Sequence, residues 1–227
     1  MIQLYSGTPG SGKSLHLARS IYKYLNSRRE VLVICNFEIN LDLVKYPDRF
    51  IYISNSDLCP EIIVSLSRSF FGDNDIKEDS IILIIDECQI IFNTRDWGDK
   101  SRRPWLDFFS QHRKYGITCY LVAQYADMID KQIRALIEYE VLHRKATRIG
   151  AFGGLLKVLT FGDWFVAIDM FYSMKMQIGV TWFRARKKYF KLYNTFNTFS
   201  KSGSALSVPR NEEGLERIQT FERVGDL

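Results

Sequence analysis

Gly7-Thr8-Pro9-Gly10-Ser11-Gly12-Lys13-Ser14 is the stretch that decides the fold of this 227-residue chain. It matches the pattern G-x-x-x-x-G-K-[ST] at every fixed position, between a short apolar run and a helical pattern that begins at Lys13. Glycines let the backbone curl so that successive N–H groups point at one anion. The stretch therefore predicts a strand, a phosphate-binding loop and a helix; a chance Gly-rich turn is the alternative.

The residue types in this loop assign roles within a nucleotide site. We expect Lys13 to neutralise the β- and γ-phosphates of ATP, and the Ser14 hydroxyl to bind Mg²⁺. In a site without nucleotide we expect the Lys13 side chain to face solvent. The predicted nucleotide-binding residues are Gly7, Thr8, Pro9, Gly10, Ser11, Gly12, Lys13, Ser14 and Leu15.

Two acidic residues follow the most apolar run of the chain. Asp86 and Glu87 come directly after Ile81 to Ile85, so they emerge at the carboxyl edge of a predicted sheet, where ligands of open α/β sheets bind. We expect Asp86 to hold the magnesium shell and Glu87 to polarise the water that attacks the γ-phosphate. The alternative is a pair of acids that satisfies a helix N-terminus.

A polar amide closes the next apolar strand, and two arginines complete the catalytic candidates. Gln124 follows Ile117 to Ala123 and is predicted to contact the γ-phosphate or the attacking water; an ordinary polar strand end is the alternative. Arg113 and Arg134 are the candidates for an arginine finger, supplied by a neighbouring subunit or by an inward movement. The sequence does not choose between them, and each could be an ordinary surface arginine.

The periodicity of residues 1–147 predicts an α/β core. Nearly continuous apolar strands that alternate with helical patterns indicate a mostly parallel sheet with helices on both faces. The predicted strands are Ile2 to Tyr5, Val31 to Phe37, Phe50 to Ile53, Ile81 to Ile85, Ile117 to Ala123 and Tyr139 to His143. The predicted helices are Lys13 to Leu25, Glu61 to Phe71, Pro104 to Tyr115 and Asp130 to Leu136.

The pattern changes after this core. Residues 148–199 are aromatic, alternating and punctuated by glycine, which predicts a small antiparallel β extension. Its predicted strands are Leu155 to Phe161, Trp164 to Met170, Gln177 to Phe183 and Tyr189 to Phe196. Residues 200–227 are polar and predict a flexible tail, with one short helix near Glu212 to Phe221.

The positive charge of the chain is concentrated in one segment. Residues 141–200 hold 10 Lys and Arg against 2 Asp and Glu, whereas the whole chain has a net charge of +5. The run Arg184-Ala185-Arg186-Lys187-Lys188 lies among aromatic residues, a mixture that suits nucleic acid or anionic lipid headgroups. A solvated basic face is the alternative.

Composition excludes several other classes of protein. A chain with 46% hydrophobic and 25% charged residues is not mainly disordered. No apolar stretch approaches the roughly 18 residues of a bilayer span, and no secretory signal is visible, so we expect a soluble, cytoplasmic chain. The four cysteines and three histidines lack metal-ligand spacing, which predicts reduced thiols and structural histidines.

Three motifs together resemble a known family. MIQLYSGTPGSGKS at 1–14, IILIIDECQ at 81–89, and QHRKYGI at 111–117 leading to Ala123-Gln124 resemble the N-terminal domain of the zonula occludens toxin family. That family includes the assembly ATPases of filamentous phages and is similar to the FtsK/HerA-type motor ATPases. The resemblance extends over roughly residues 1 to 195.

The resemblance implies a fold, an activity and partners. It implies a RecA-like P-loop NTPase that forms a homo-oligomer or ring, hydrolyses ATP with Mg²⁺, and extrudes phage DNA or a DNA–protein complex through the host envelope. By motif match it makes Lys13 the phosphate-loop lysine, Asp86 the magnesium acid, Glu87 the catalytic acid and Gln124 the sensor.

The sequence departs from the family in one respect. Family members continue past the ATPase core into a transmembrane helix and an extracytoplasmic segment, and no such segment is present here. We therefore expect either a protein that docks on a separate membrane partner at the inner face of the host membrane, or the cytoplasmic portion of a longer protein. The toxin activity belongs to the absent region and is not transferred.

Two other functions compete with an ATP-driven motor. A small nucleotide kinase also carries a phosphate loop, but no Arg-rich lid is visible between the helices. A nucleotide-gated scaffold would bind ATP without turnover, and it would need no activating base. Glu87 therefore separates a scaffold from a hydrolase.

Overall fold

The computed structural model of this chain describes residues 1–93, 102–146 and 163–193. The predicted unit boundaries near residues 147 and 199, the predicted strand Leu155 to Phe161 and the whole predicted tail lie outside these ranges. The strands are β1 (Ile2–Ser6), β2 (Leu32–Cys35), β3 (Phe50–Tyr52), β4 (Ile81–Ile85), β5 (Ile117–Val122), β6 (Tyr139–Lys145), β7 (Trp164–Phe171) and β8 (Met176–Arg184). The helices are α1 (Lys13–Asn26), α2 (Pro60–Phe71), α3 (Arg102–Gln111), α4 (Lys131–Arg134) and α5 (Lys187–Leu192).

All eight described strands form one sheet in the order β3-β2-β4-β5-β1-β6-β7-β8. The first six are parallel, and β7 and β8 continue the sheet in antiparallel fashion. In this order β5 lies between β1 and β4. The phosphate loop follows β1 and the acidic pair follows β4, so a single strand separates them. All three strands end at the same edge, where open α/β sheets bind ligands.

Strand β4 shows why its sequence is apolar at every position. Ile81, Leu83 and Ile85 lie in one hydrophobic core, and Ile82 and Ile84 lie in the core on the opposite face. A strand buried on both faces loses the polar–apolar alternation of a half-exposed strand. The predicted sheet with two covered faces is confirmed.

The helices divide between the two faces. Helices α2 and α3 pack on one face, where Trp105, Phe108 and Phe109 of α3 are buried as core residues. Helix α1 packs on the other face through Leu17, Ile21 and similar side chains, and α5 packs against α1. The fixed position of α1 therefore derives from its apolar face as well as from the loop before it.

The C-terminal strands confirm the antiparallel extension and correct one prediction within it. Residues Tyr189 to Phe196 were expected to form a strand, but Lys187–Leu192 is helix α5. Tyr189 and Leu192, three residues apart, are both buried on the α1 side of the sheet. This helical spacing of two anchors outweighs the strand preference of the aromatic residues.

Other sequence expectations concern single residue types. Cys35, Cys59, Cys88 and Cys119 are free thiols, as predicted. Within residues 1–93, 102–146 and 163–193, every helix is too short or too polar to cross a membrane. The same ranges contain no cluster of His, Cys, Asp and Glu that could hold a metal by itself.

Candidate functional site

The loop between β1 and α1 has the backbone shape that its glycines permit. Gly7, Gly10 and Gly12 all have positive φ, at 140°, 72° and 102°. A Cβ on Gly7 would lie 2.6 Å from the His143 carbonyl oxygen, and one on Gly12 would lie 2.5 Å from the Phe165 ring. The first and third glycines are therefore required by space as well as by conformation.

Lys13 does not face solvent, which corrects the expectation from the sequence. Its side chain is buried, and its Nζ donates to the Gly7 carbonyl at 2.5 Å and to the Thr8 carbonyl at 3.4 Å. Burial lowers the pKa of Lys13, while the charges of Glu87 and Asp86 raise it. The lysine thus closes the loop on itself, with both acids near its charge.

Asp86 is held by its backbone and by its carboxylate. The Asn36 side chain at the end of β2 accepts from the Asp86 N–H at 2.7 Å and donates to the Asp86 carbonyl at 2.8 Å. The Tyr193 hydroxyl donates to Asp86 Oδ2 at 2.7 Å. Burial raises the pKa of Asp86, and the Tyr193 hydrogen bond and Lys13 oppose that rise.

Glu87 has an unusual backbone conformation for a residue with a side chain. Its φ and ψ are 48° and 43°, in the left-handed region, which costs a non-glycine residue about 1 kcal/mol or more. Such strain concentrates at functional sites. The Gln89 amide donates to the Glu87 carboxylate and so fixes its direction.

Gln124, the predicted sensor, is hydrogen-bonded to the first residue of the loop through its backbone. Its carbonyl accepts from the Gly7 N–H at 3.1 Å, and its side chain lines a cleft of about 520 Å³. The same cleft is lined by Thr8 of the loop and by Arg144 and Lys145 at the end of β6. The predicted sensor is therefore beside the loop, at the end of the strand between β1 and β4.

Both predicted arginine fingers are held in ion pairs within the chain. Arg113 precedes β5 and pairs with Glu138 at 2.5 Å, at the amino edge of the sheet. The length of β5, about 20 Å, separates it from the carboxyl edge, so it cannot reach the loop of its own chain. Arg134, at the end of α4, pairs with Asp127 and interacts with Tyr172. Asp127 follows the carboxyl end of β5 by five residues, so this ion pair does not place Arg134 at the amino edge. A role for Arg113 in catalysis requires a neighbouring subunit, whereas Arg134 is held by Asp127 of its own chain.

A pair of histidines, one in α1 and one in β6, lies next to the start of the loop. His16 Nδ1 and His143 Nε2 are 2.9 Å apart, and His143 Nδ1 lies 3.2 Å from the Ser6 carbonyl. Burial, with smaller contributions from nearby cations, lowers the pKa of His16 to about 4. Burial and His16 lower the pKa of His143 to about 3. Both rings are neutral at pH 7, which fits the predicted structural role.

This pair predicts that the protein loses stability in mild acid. Because both folded-state pKa values lie below the ordinary histidine value of about 6.5, the unfolded chain binds more protons below that pH. Stability is then constant above about pH 6.5 and falls by about 2 kcal/mol per histidine on going to pH 5. Urea unfolding at pH 7 and pH 5 measures this loss. The His16→Gln/His143→Gln variant should show a shallower pH dependence, and an equal dependence would contradict the assignment.

The site can be tested for its fit to ATP and Mg²⁺. Gly10 has open space around its Cβ position, and among the described residues the buried Ser11 hydroxyl of the same loop has no hydrogen-bond partner. The Ser14 hydroxyl and the Asp86 carboxylate are hard oxygen donors of the kind that Mg²⁺ prefers. The Leu15 side chain is packed in the core, which leaves only its backbone for a nucleotide. The residues therefore fit both groups.

Several residues of the site were not predicted from the sequence. Asn36 and Gln89 orient the two acids, Phe165 packs on Gly12, and Tyr193 contacts Asp86. Asn36 carried a usable signal, because it is a polar residue directly after an apolar strand, as Gln124 is. Phe165 and Tyr193 depend on contacts between distant parts of the chain, and Gln89 depends on the turn that brings its amide back to Glu87 two residues earlier.

Comparison with known proteins identifies the family. The family model for zonular occludens toxin (Zot) matches residues 1–199. The Gene 1 protein of Enterobacteria phage fd is 28% identical over 227 residues, covering 88% of this chain and 61% of the relative. The chain spans 45% to 61% of the length of the curated relatives it matches.

Solved structures support the fold. The N-terminal domain of zonular occludens toxin from Neisseria meningitidis superposes with a TM-score of 0.52 at 18% identity, over 85% of this chain and 97% of that domain. A second solved structure, that of an ATPase domain, gives a TM-score of 0.55 at 11% identity, over 85% of this chain and 84% of that domain. The predicted P-loop NTPase fold and family resemblance are confirmed. The chain belongs to the zonular occludens toxin (Zot) family and carries a P-loop ATPase fold.

Proposed function

We propose that this chain is an ATP-hydrolysing motor of filamentous phage assembly, which couples hydrolysis to extrusion of DNA or nucleoprotein at the inner face of the host membrane. The observation that carries the ATPase part is that Lys13, after β1, and the acidic pair Asp86 and Glu87, after β4, lie at the same edge of the sheet. The phage part is supported by family membership and by the Gene 1 relatives.

The residues of the site divide the chemistry among them. The loop amides and Lys13 bind and orient the phosphates, with Lys13 exchanging its own-loop carbonyls for phosphate oxygens. Bound Mg²⁺, held by Ser14 and Asp86, would withdraw charge from the phosphates. Glu87, oriented by Gln89, accepts the proton of the attacking water, and Gln124 positions that water.

An oligomer would give Arg113 a role in catalysis. Arg113 does not reach the loop of its own chain, so as an arginine finger it would balance the charge that develops on the phosphates bound by a neighbouring subunit. Arg113 is exposed and lies at the opposite edge of the sheet, a position that a neighbouring subunit in a ring could present. A separate membrane partner would anchor that ring.

The basic surface of α5 is our candidate for DNA contact. Arg186, which precedes the helix, and Lys187, Lys188 and Lys191 within it are exposed, and the residue that follows the helix, Tyr193, contacts Asp86. Positive charge directly linked to the nucleotide site would allow DNA contact and ATP turnover to influence each other.

This surface predicts salt-dependent binding of single-stranded DNA. Four phosphate contacts give an affinity that falls about 50-fold between 50 and 200 mM salt, because counterions are released on binding. Fluorescence anisotropy with an oligonucleotide measures the slope. Arg186→Glu/Lys187→Glu should abolish binding, whereas the matched control Arg28→Glu/Lys131→Glu, which changes exposed charges elsewhere, should not.

The proposed function is tested by phosphate release with and without single-stranded DNA. We expect a rate that DNA stimulates in the unmodified chain but not in Arg186→Glu/Lys187→Glu. ATP binding without measurable release under any of these conditions would instead support the nucleotide-gated scaffold.

A further inference from the structure

The Tyr193 hydroxyl is next to Asp86 and Ser14, the two residues of the candidate metal site. It donates to Asp86 Oδ2 at 2.7 Å, and it also interacts with the Ser14 hydroxyl. Ser14 and Asp86 belong to elements more than 70 residues apart in the chain, and Tyr193 is brought to them from a third. A single phenol oxygen therefore connects the residues proposed to hold Mg²⁺.

This contact uses the same oxygen atoms as a metal would. Asp86 Oδ1 accepts from the Glu87 N–H at 2.9 Å, which leaves Oδ2, the acceptor of the Tyr193 hydrogen bond, as the oxygen that Mg²⁺ would use. Tyr193 and Mg²⁺ would then compete for the same Asp86 oxygen.

The position of Tyr193 is set by packing on both sides. Its ring meets the Phe37 ring edge to face, with centroids 4.7 Å apart. One residue earlier, Leu192 is fully buried and its carbonyl accepts from the Asn40 N–H at 2.9 Å. Tyr189 packs edge to face on Tyr22 of α1. The packing of α5 and of the residue that follows it therefore fixes the position of the Tyr193 hydroxyl.

We propose that Tyr193 sets the metal affinity of this site: its hydroxyl leaves Ser14 and Asp86 when Mg²⁺–nucleotide binds, and the end of α5 moves with it. The proposal rests on the proposed nucleotide site and adds its regulation. Because the exposed basic residues of α5 lie within seven residues of Tyr193, metal binding and DNA contact are linked through one short helix.

Tyr193→Phe tests the proposal, because it removes the hydroxyl and keeps the ring against Phe37. A hydrogen bond to a charged acceptor contributes about 1.5 kcal/mol, so Mg²⁺ should reach half-saturation at about tenfold lower concentration in this variant. The readout is binding of a fluorescent, non-hydrolysable ATP analogue by the full chain during a Mg²⁺ titration. In EDTA, the affinity for the analogue should be unchanged.

Tyr189→Phe is the matched control, since it removes a hydroxyl from the same helix without touching the site. Hydrogen exchange in the unmodified chain gives a second readout, and amides of 187–193 should exchange faster with Mg²⁺ and the analogue than without them. An equal or weaker Mg²⁺ affinity in Tyr193→Phe would overturn the proposal. If the unmodified chain bound no analogue even with Mg²⁺, the proposed function would fail as well, and so the two failures are distinguishable.

Discussion

Replacing Glu87 with glutamine is expected to abolish ATP hydrolysis while leaving ATP binding intact. The variant keeps the size and hydrogen-bonding reach of the side chain but removes the carboxylate that accepts the proton of water. Loss of a positioned general base costs about 10²- to 10⁴-fold in rate. Phosphate release under saturating ATP and Mg²⁺ measures the first effect, and equilibrium binding of a fluorescent ATP analogue measures the second.

The substitution of Glu87 by glutamine leaves the backbone of the turn unchanged. Glutamine and glutamate meet the same steric cost at a φ of 48°, so the strain of the turn is unchanged. Glu78→Gln, at an exposed position before β4, is the matched control and should hydrolyse ATP normally. A Glu87→Gln protein with full turnover would show that another group activates the water.

Lys13→Ala should lose nucleotide affinity by about 100-fold, the second largest effect that we expect. Removing one partner of a buried, hydrogen-bonded charge interaction costs roughly 3 kcal/mol or more. Because Lys13 also donates to the Gly7 carbonyl, the variant should unfold at a somewhat lower temperature than the unmodified chain. Analogue binding and thermal unfolding monitored by circular dichroism measure the two effects.

Lys23→Ala provides the control for this variant. Lys23 lies on the same helix and is exposed, so its loss should change neither property. If Lys13→Ala bound the analogue as tightly as the unmodified chain, the loop would not be a nucleotide site.

The core of the fold and the centre of the site could be predicted because their signals are local. A phosphate loop needs glycines and a lysine at fixed spacing, and a strand buried on both faces needs an unbroken apolar run such as Ile81 to Ile85. The carboxyl edge of a parallel sheet then brings Lys13, Asp86 and Gln124 to one side. Their roles in catalysis remain predictions.

What the sequence could not provide was the contacts that form only when the loop and the sheet are folded. The burial of Lys13 depends on its folding back to the Gly7 carbonyl, an arrangement that the motif does not encode. The helical state of Lys187–Leu192 depends on packing against α1, which overrides local strand preference. Tyr193 reaches Asp86 only because that helix ends beside the loop.

Arg113 illustrates a different limit. The sequence left Arg113 and Arg134 as open candidates for an arginine finger, and the sheet places Arg113 at the edge opposite the loop, paired with Glu138. A residue used in a neighbouring subunit leaves no signal in the sequence of a single chain. The rate of phosphate release per subunit should therefore rise with protein concentration if subunits share sites.

The most direct test of the central claim is phosphate release by the unmodified chain with ATP, compared between Mg²⁺ and EDTA. We expect sustained release in Mg²⁺ and none in EDTA, because Ser14 and Asp86 have to hold the metal before Glu87 can act. A folded protein that released no phosphate in Mg²⁺, or released it equally well in EDTA, would contradict the account.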